Sequence, residues 1–455
     1  MTGNVVPRVI VGGVSSGAGK TVLSIGLMGA LKKQSHIVAP FKVGPDFIDP
    51  MFHKAACERA SRNLDSYMID KSGLLESFNR GCKGADIAII EGVMGLFDSS
   101  EGTSEKGSTA EVAKMLGAPV ILSVNVSKTA RSAAAVVQGF KNFDPDLNLA
   151  GVILNMVGSN RHKTKVTEAV EKHAGVEVLG ALPRNNTLHL PERHLGLVPI
   201  HEIENDVAAI SSFVEEHVDI GHIVEIAGSA NELENVQPHS TSAEKTGAKV
   251  GVMYDSAFRF YYAETLGQLE TRAELVYIDA LKDKKLPTLD TLYIGGGFPE
   301  VYASELESNK SLRNSVYDFC AAGGRVYGEC GGLMYLGEKI VSDECEFEMT
   351  GFLPINTVMQ QRYVGMGYVL NRAAVDNLLG KKGDVIVGHE FHHSQAQVTG
   401  RAKFAFKTER GNGIADGCDG MIRENVLAGY MHVHPLGCRR FIEGVVQPRD
   451  SKKIR

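Results

Sequence analysis

One cysteine has the surroundings of a nucleophile. Cys330 lies in GECGGLMYL, where a predicted strand turns sharply into a helix. Small neighbours would expose its side chain and leave backbone N–H groups to stabilise an oxyanion. A thiol needs a base to react at neutral pH. The downstream segment GYMHVHP offers two candidate bases, His432 and His434, and alternation along a strand would put both on one face. Without this context, Cys330 would be interpreted as a small buried apolar residue. The context favours a nucleophile, and the glycines of 295–300 could supply a second N–H group to the oxyanion.

A phosphate-binding loop is the second chemical motif. GGVSSGAGKT lies between a predicted strand and a predicted helix. There Gly17 and Gly19 would let backbone N–H groups wrap a phosphate chain, Lys20 would reach the outer phosphates, and the Thr21 hydroxyl would hold Mg²⁺. The strict pattern has a glycine where this chain has Val14. The alternative is a tight turn with an exposed lysine, but the strand–helix context favours a nucleotide site.

Carboxylates near this loop are candidate magnesium ligands, because Mg²⁺ prefers oxygen. Glu91 ends a buried predicted strand, and the carboxyl ends of central strands lie beside the phosphate loop in a doubly wound sheet. The alternative for Glu91 is a solvated acid at a strand end. Asp46 and Asp49 lie three residues apart in PFKVGPDFIDP, which is either a rigid turn or an active-site loop.

Two α/β halves must position these groups. Short runs rich in β-branched residues alternate with helical stretches, which predicts a buried, doubly wound parallel sheet with strands at 9–11, 38–41, 87–90, 120–124 and 151–154. A second set of strands is predicted at 249–254, 291–294, 324–327 and 426–430.

The domain boundary is expected in a polar stretch without apolar periodicity. Residues 225–247 are rich in Ser, Glu, Asn and Thr, which is typical of an exposed linker. We therefore expect a phosphate-loop domain over 1–224, a thiol domain over 248–445 and a polar tail over 446–455.

Composition narrows the class of protein. A chain of 455 residues is too long for one ordinary core, and 43% apolar and 22% charged residues are typical of a soluble globular protein. A net charge of -6 argues against a nucleic-acid partner. No apolar run approaches the roughly 20 residues that span a bilayer, and no secretory signal is visible. Seven scattered cysteines suggest neither a disulfide framework nor a zinc site, so we expect a cytoplasmic protein with no membrane partner.

The motifs together resemble the cobyrinate a,c-diamide synthase family, including its methanogen counterpart, the Ni-sirohydrochlorin a,c-diamide synthase of coenzyme F430 biosynthesis. The likeness covers nearly the whole chain in order, through GAGKT, PFKVGPDFIDP, SRNLDSYM, EGVMGLFD, GSTAEVAK, GVILNMVGS, ALPRN, LPERHLGLVP, AFRFYY, GGGFPE, YGECGGLMYL, GHEFHHS and GYMHVHP. It implies a P-loop amidoligase domain related to dethiobiotin synthetase and a C-terminal α/β domain like the type 1 glutamine amidotransferases. The implied reaction amidates the a and c acetates of a tetrapyrrole polycarboxylate, with L-glutamine or ammonia as the nitrogen source. ATP would first convert each carboxylate to an acyl phosphate, since a free carboxylate does not react with ammonia.

The resemblance implies roles for individual residues. Cys330 would be the nucleophile and His432 its base. The residues implied for ATP and Mg²⁺ are Lys20, Thr21, Asp46 and Glu91. Asn155 resembles an adenine-contacting asparagine, with a strand-end cap as the alternative, and Asp98 would orient the macrocycle's carboxylate. Type 1 glutaminases usually carry Glu two residues after the catalytic histidine, and this chain has His434 there.

A large, flat, polyanionic ring needs aromatic and cationic partners. Candidates lie in 360–369 and 389–394, where Arg362, His389 and His392 would pair with spare carboxylates of the ring. The alternative is that these are ordinary strand and turn residues. Nothing in them distinguishes a corrin from a nickel sirohydrochlorin.

Three rival functions and the oligomeric state stay open. Cobyric acid synthase is related but amidates four other side chains of the ring. A P-loop ATPase switch shares the loop, although such switches usually carry a second lysine where this chain has Ser15 and Ser16. The thiol domain could also be a binding module without glutaminase activity. A homodimer is compatible with the sequence, which does not determine assembly.

Overall fold

The structure is a computed structural model that describes residues 6–185, 200–233, 245–343 and 345–448. The motif LPERHLGLVP, residues 234–244 of the expected linker and the tail from 449 lie outside these residues. The chain divides into two compact units, Met1–Ser240 and Thr241–Arg455. Among the described helices, none is both long and apolar enough to cross a bilayer.

The first unit alternates strands and helices. Its strands are β1 (Arg8–Gly13), β2 (Val38–Val43), β3 (Arg62–Leu64), β4 (Ile87–Glu91), β5 (Val120–Asn125), β6 (Leu149–Val157) and β7 (Val178–Pro183). Its helices are α1 (Lys20–Lys33), α2 (Asp49–Cys57), α3 (Lys71–Gly81), α4 (Thr109–Met115), α5 (Ser132–Phe143), α6 (Asn160–Ala174), α7 (Ile200–His217) and α8 (Ile220–Gly228).

These strands form one parallel sheet in the order β3-β2-β4-β1-β5-β6-β7. Every residue of β1, β2 and β4 is buried, which explains their nearly continuous apolar sequences. The chain leaves β1 toward β2 and leaves β4 toward β5, in opposite directions across the sheet. A crevice therefore opens at the carboxyl ends of β1 and β4, where ligands bind in such sheets. The predicted doubly wound P-loop fold is confirmed.

Helix α8 takes up the start of the expected linker. Its buried positions Ile220, Ile223 and Ala227 have helical spacing and pack into the first unit. The Asp219 side chain accepts a hydrogen bond from the His222 N–H, 2.9 Å away, and caps the helix. Residues 225–228 are thus helical, because tertiary packing of one apolar face outweighs the polar composition that follows.

The second unit begins as an α/β fold and continues with antiparallel strands. Its strands up to the thiol turn are β8 (Lys249–Met253), β9 (Phe258–Phe260), β10 (Glu274–Ile278), β11 (Thr291–Ile294), β12 (Gly296–Gly297) and β13 (Arg325–Glu329). The later strands are β14 (Lys339–Ser342), β15 (Cys345–Glu348), β16 (Ile355–Met359), β17 (Gly365–Ala373), β18 (Val385–His392), β19 (Ser394–Val398), β20 (Phe404–Arg410), β21 (Cys418–Arg423), β22 (Val426–Gly429) and β23 (His432–Val433). Its helices are α9 (Ala263–Arg272), α10 (Ala303–Ser308), α11 (Lys310–Ala321), α12 (Gly331–Leu336) and α13 (Arg440–Val445).

The main sheet of this unit runs β10-β8-β11-β13-β22-β21-β20-β17-β18-β23. Its first five strands are parallel, and β11, β13 and β22 lie side by side. The segments that follow these three strands contain GGGFPE, Cys330 and His432, so the sheet brings the predicted thiol-site segments to one edge. The predicted glutaminase-like α/β domain is confirmed.

Candidate active sites

The phosphate loop connects β1 to α1 through two glycines in the left-handed region. Gly17 has φ 75° and Gly19, the residue that directly precedes α1, has φ 92°. The Lys20 ammonium bends back over the loop and donates to the carbonyls of Ser15, at 3.2 Å, and Met94. Burial and the nearby Lys42 charge lower the pKa of Lys20. The lysine is thus held by weak carbonyl partners that phosphate oxygens can replace.

Glu91, at the carboxyl end of β4, is at the centre of a buried polar cluster. Its Oε1 accepts hydrogen bonds from the Thr21 hydroxyl at 2.7 Å and from the Lys42 ammonium at 2.8 Å. Its Oε2 lies 2.7 Å from Nε2 of His53, whose Nδ1 lies 3.0 Å from the Ser61 hydroxyl. The expected position of Glu91 beside the phosphate loop follows from the pairing of Val11 with Glu91.

Charges within this cluster compensate one another. Burial alone would raise the pKa of Glu91, but the Lys42 ammonium and the His53 hydrogen bond hold that pKa well below its ordinary value. Lys42 also contacts Asp49, and these two carboxylates outweigh burial and raise the pKa of Lys42. Burial and the Glu91 charge raise the pKa of Asp49. The cluster therefore keeps one ammonium and the Glu91 carboxylate ionised inside the sheet.

Thr21 and Glu91 fit a magnesium site. Their oxygens lie 2.7 Å apart, close to the separation of about 2.9 Å between neighbouring ligands of an octahedral Mg²⁺ with bonds of about 2.05 Å. Within the described part of the chain, no three His, Cys, Asp or Glu side chains gather to hold a metal. The remaining ligands would be phosphate oxygens and water, as is usual for Mg²⁺ at nucleotide sites.

Asp46 accepts two backbone hydrogen bonds at the turn before α2. Its Oδ1 accepts the Ile48 N–H at 2.9 Å and its Oδ2 accepts the Asp49 N–H at 3.0 Å. Both oxygens therefore accept hydrogen bonds that stabilise the turn leading into α2. This geometry favours the rigid-turn interpretation of PFKVGPDFIDP for Asp46, while Asp49 lies against Lys42.

Asn155 and Asp98 both lie beside the phosphate loop. The Asn155 side chain donates to the Ala18 carbonyl at 3.0 Å, and a Cβ on Gly19 would lie 2.0 Å from its nitrogen. Asn155 thus joins the end of β6 to the loop, which is the structural alternative to contacting adenine. Asp98 is exposed, and its Oδ2 accepts the Gly95 N–H at 2.8 Å.

Cys330 forms the sharp turn between β13 and α12. Its φ of 49° and ψ of -95° are strained for a residue with a side chain. Gly332 is required behind it, because a Cβ there would lie 2.2 Å from the Ile294 carbonyl oxygen. The Gly331 N–H bonds to the thiol, and the Gly297 nitrogen lies 3.2 Å from the position of a Cβ on Gly331. The turn thus places the Gly331 N–H at the thiol and brings a second backbone amide, that of Gly297, close to Gly331.

His432 lies on β23, a short strand separate from β22, where it pairs with His389 of β18. Its Nδ1 lies 3.3 Å from Oε2 of Glu329, and its ring stacks on His389 with centroids 4.9 Å apart. The Nε2 of His434 lies 3.5 Å from Oε2 of Glu264. The two histidines of GYMHVHP therefore contact different carboxylates.

The thiol is neutral at rest. Burial and the carboxylates of Glu300 and Glu329 raise the pKa of Cys330 above its ordinary value. Burial and two neighbouring histidines hold the pKa of His389 well below its ordinary value, so this ring is uncharged. As a nucleophile, Cys330 would therefore need a base to remove its proton.

The residues expected to hold the macrocycle separate into two groups. His389 and His392 are each only 5% exposed. The His392 ring stacks on Tyr430 at 3.7 Å, and its Nδ1 lies 2.7 Å from the Ser394 carbonyl oxygen. Their burial argues against pairing with ring carboxylates. Arg362 is exposed, as a partner for an anion must be.

Sequence reasoning missed Lys42, His53 and Glu329 as parts of these sites. Two signals were present in the sequence. Lys42 is a charged residue inside the fully buried strand VAPFKV, which requires a partner charge. Glu329 directly precedes the nucleophile. His53 carried no comparable signal, since its contact with Glu91 depends on how α2 packs on β4.

Comparisons with known proteins match both halves of the chain. Residues 9–198 match the CobQ/CobB/MinD/ParA nucleotide binding domain, and residues 249–438 match the CobB/CobQ-like glutamine amidotransferase domain. A cobyrinate a,c-diamide synthase of Archaeoglobus fulgidus is 51% identical over 98% of this chain and 98% of its own. Proteins of the same name from Methanosarcina acetivorans and Listeria innocua are each 41% identical, over 97% and 94% of this chain and 95% and 96% of their own.

A nucleotide-binding domain joined to a thiol-based amidotransferase domain defines a glutamine-hydrolysing carbon–nitrogen ligase. Identity of this degree over nearly the full length assigns the family as well. The chain belongs to the cobyrinate a,c-diamide synthase family.

Proposed function

We propose that this enzyme converts cobyrinate to cobyrinate a,c-diamide, using ATP and glutamine. The observation that carries the proposal is 51% identity, over 98% of both chains, to a protein of that name. The phosphate-loop and thiol sites support it, because one can activate a carboxylate and the other can release ammonia.

Carboxylate activation belongs to the first unit. The γ-phosphoryl group of ATP passes to the substrate carboxylate and gives an acyl phosphate and ADP. Lys20 exchanges its carbonyl partners for phosphate oxygens. Lys42, on β2, adds a second positive charge close to Glu91. Thr21 and Glu91 would hold Mg²⁺, which supplies charge neutralisation at the phosphates.

Ammonia release belongs to the second unit. Cys330 attacks the side-chain amide carbon of glutamine while His432 takes the thiol proton, and the amides near Gly331 stabilise the oxyanion. The amide nitrogen leaves as ammonia, and the thioester is hydrolysed to glutamate. Ammonia then attacks the acyl phosphate and displaces phosphate, which forms the new amide.

Macrocycle binding draws on exposed polar side chains. Asp98 and Arg362 are both exposed and stay candidates for orienting the ring's carboxylates. Arg362 also neighbours Tyr363, which is 39% exposed and packs against Phe391 at 4.6 Å. An aromatic surface beside a cation suits a flat polyanion.

The division into two reactions is tested by nitrogen source. Cys330→Ala should lose amidation with glutamine and keep it with high ammonium salt, while Cys320→Ala, a buried cysteine of the same unit, should keep both. Lys20→Ala and Glu91→Gln should lose both, each by on the order of a thousandfold. Full glutamine-dependent activity in Cys330→Ala would remove Cys330 as the nucleophile, and full ammonia-dependent activity in Glu91→Gln would remove it as the Mg²⁺ ligand.

The substrate is tested with two rings in parallel. Cobyrinate and nickel sirohydrochlorin carry similar edge carboxylates, so the mass of each product should be measured for added amides. We expect two amides on cobyrinate. Turnover of the nickel ring alone would assign the enzyme to coenzyme F430 biosynthesis, four amides would indicate cobyric acid synthase activity, and turnover of neither ring would contradict a tetrapyrrole substrate.

A further inference from the structure

Glu329 is a buried carboxylate next to the nucleophile in sequence and next to the base in space. It is the last residue of β13 and directly precedes Cys330. Its side chain is 2% exposed, and its Oε2 lies 3.3 Å from Nδ1 of His432. A carboxylate at this nitrogen of a catalytic imidazole fixes its tautomer and orientation.

The surroundings of Glu329 consist of hydrogen-bond donors. The Tyr293 hydroxyl donates to Oε2 at 3.1 Å, and the Tyr327 hydroxyl donates to Oε1 at 2.9 Å. The Val433 N–H adds a longer contact to Oε1 at 3.4 Å. Burial and the Glu329 charge raise the pKa of both tyrosines well above the ordinary value, so both hydroxyls keep their protons. Both carboxylate oxygens therefore act as acceptors, which orients the group toward His432.

The position from which type 1 glutaminases usually supply a carboxylate is occupied by His434. Its Nδ1 accepts the Leu436 N–H at 3.3 Å, and its Nε2 faces Glu264 at 3.5 Å. Glu264 is thus the carboxylate that faces His434, whereas Glu329 is the carboxylate that contacts His432. A negative charge reaches the catalytic imidazole from the strand that carries the nucleophile.

We propose that Glu329 is the positioning residue of the glutaminase site and takes the place of the missing glutamate. The inference rests on the proposed roles of Cys330 and His432. Glu329 accepts the Nδ1 proton of His432 in a hydrogen bond, which leaves Nε2, on the side of Gly296, as the proton acceptor. As the sulfur–carbon bond forms, the thiol proton moves to Nε2. That proton then passes to the departing nitrogen as its bond to carbon breaks, and Glu329 stabilises the intervening imidazolium.

The neutral His389 ring completes this arrangement. It stacks on His432 with an angle of 22° between the rings, and the Tyr262 hydroxyl lies 3.2 Å from its Nδ1. Because His389 carries no charge, it does not oppose the imidazolium that forms on His432. The His432 ring thus has a neutral ring stacked on it and the Glu329 carboxylate at its Nδ1.

The test compares Glu329→Gln, Glu329→Asp and Glu264→Gln in the full-length enzyme, with cobyrinate, ATP and either nitrogen source. In Glu329→Gln we expect kcat with glutamine to fall about ten-thousandfold, as when a triad carboxylate becomes an amide. The KM for glutamine and the ammonia-dependent rate should stay within about threefold of the unmodified enzyme. Glu329→Asp should recover part of the loss, and Glu264→Gln should keep most of the glutamine-dependent rate.

The pH profile separates positioning from a structural effect. Removing the negative charge beside Nδ1 disfavours the imidazolium, so the acid limb of glutamine-dependent kcat/KM should move to lower pH in Glu329→Gln. Full glutamine-dependent activity in Glu329→Gln, an unmoved acid limb, or a larger loss in Glu264→Gln would overturn the inference. Cys330→Ala keeps the two questions apart: if it too retains full glutamine use, the proposed thiol chemistry fails, whereas its inactivity beside an active Glu329→Gln refutes only the positioning role.

Discussion

The Lys42 ammonium lies 2.8 Å from Oε1 of Glu91, with side-chain exposures of 5% and 0%. The two residues are register partners on adjacent parallel strands. A lysine of β2 thus compensates the carboxylate that ends β4, at the edge where the phosphate loop lies. The phosphate site therefore has a second lysine, and it comes from a strand that lies well after the loop in the sequence.

Lys42→Met should destabilise the protein by about 3–5 kcal/mol, because it leaves Glu91 as a buried charge with one compensating group fewer. Amidation should be lost with either nitrogen source. The matched control is Lys32→Met, whose 2.8 Å pair with Glu58 is exposed and contributes at most about 1 kcal/mol. Urea unfolding measures the free energy of unfolding of both variants. Equal values for Lys42→Met and Lys32→Met would show that the buried pair makes no net contribution to stability.

Gly19→Ala should impair ATP use more than its backbone strain explains. Its φ of 92° disfavours any side chain, and the new Cβ would meet the Asn155 amide at 2.0 Å. We expect the KM for ATP to rise at least about tenfold, since a shift of the loop by about 1 Å can cost a hundredfold in rate. Adding Asn155→Ala should restore part of the loss.

The control for Gly19→Ala is Gly84→Ala, with φ 70° and nothing within 4 Å of the added Cβ. It carries similar strain, about 1–2 kcal/mol, without a contact to the phosphate loop. Its KM for ATP should be unchanged. If Gly19→Ala and Gly84→Ala had the same KM for ATP, the contact with Asn155 would have no effect on ATP use.

Glu300→Gln should lower the pKa of Cys330, because the Glu300 charge is, after burial, the largest contribution that raises it. The rate of Cys330 alkylation by iodoacetamide should then rise relative to the unmodified enzyme. Burial raises the pKa of Glu300 itself to about 7. Glu300 is therefore neutral below that pH and charged above it, so the two alkylation profiles should coincide near pH 6 and separate above pH 7.

Glu305→Gln, an exposed acid nearby in sequence, serves as the control and should leave the alkylation profile in place. Mass spectrometry of the peptide that contains Cys330 distinguishes its alkylation from that of the exposed Cys345. Identical profiles for Glu300→Gln and the unmodified enzyme would exclude Glu300 as a cause of the raised pKa.

Arg362→Ala should raise the KM for the macrocycle about fivefold, the effect of losing about 1 kcal/mol from an exposed ion pair. The glutaminase rate should not change. Arg401→Ala, another exposed arginine of the same unit, should leave both quantities unchanged. The effect should shrink as salt is added, and a salt-independent loss would indicate a structural role for Arg362.

Much of the fold could be predicted because buried parallel strands have nearly continuous apolar sequences. The predicted runs at 87–90 and 120–124 lie within β4 and β5. Sheet topology then determines that the end of β4 lies beside the loop that follows β1, so the position of Glu91 could be predicted as well. The turn at Cys330 was visible for the same reason, since it joins a strand to a helix.

The missed contacts depend on packing that local sequence does not encode. Lys42 meets Glu91 only because β2 lies beside β4, and strand order cannot be read from a run of apolar residues. His392 was expected at a surface, yet it is buried against Tyr430 within the unit's interior. In each case the deciding partner is distant in sequence.

Glu329 and Cys330 are consecutive residues, so a single planar peptide joins them. One carries the carboxylate that orients the base, and the other carries the thiol that the base deprotonates. The separation between these two groups is therefore covalently limited. The position of the base depends on another segment, 430–434, which carries His432 on its own short strand. Displacing that segment by about 1 Å would cost about a hundredfold in rate while the strained thiol turn kept its shape. Glutamine use should therefore depend on how closely this one segment holds His432 to the thiol turn.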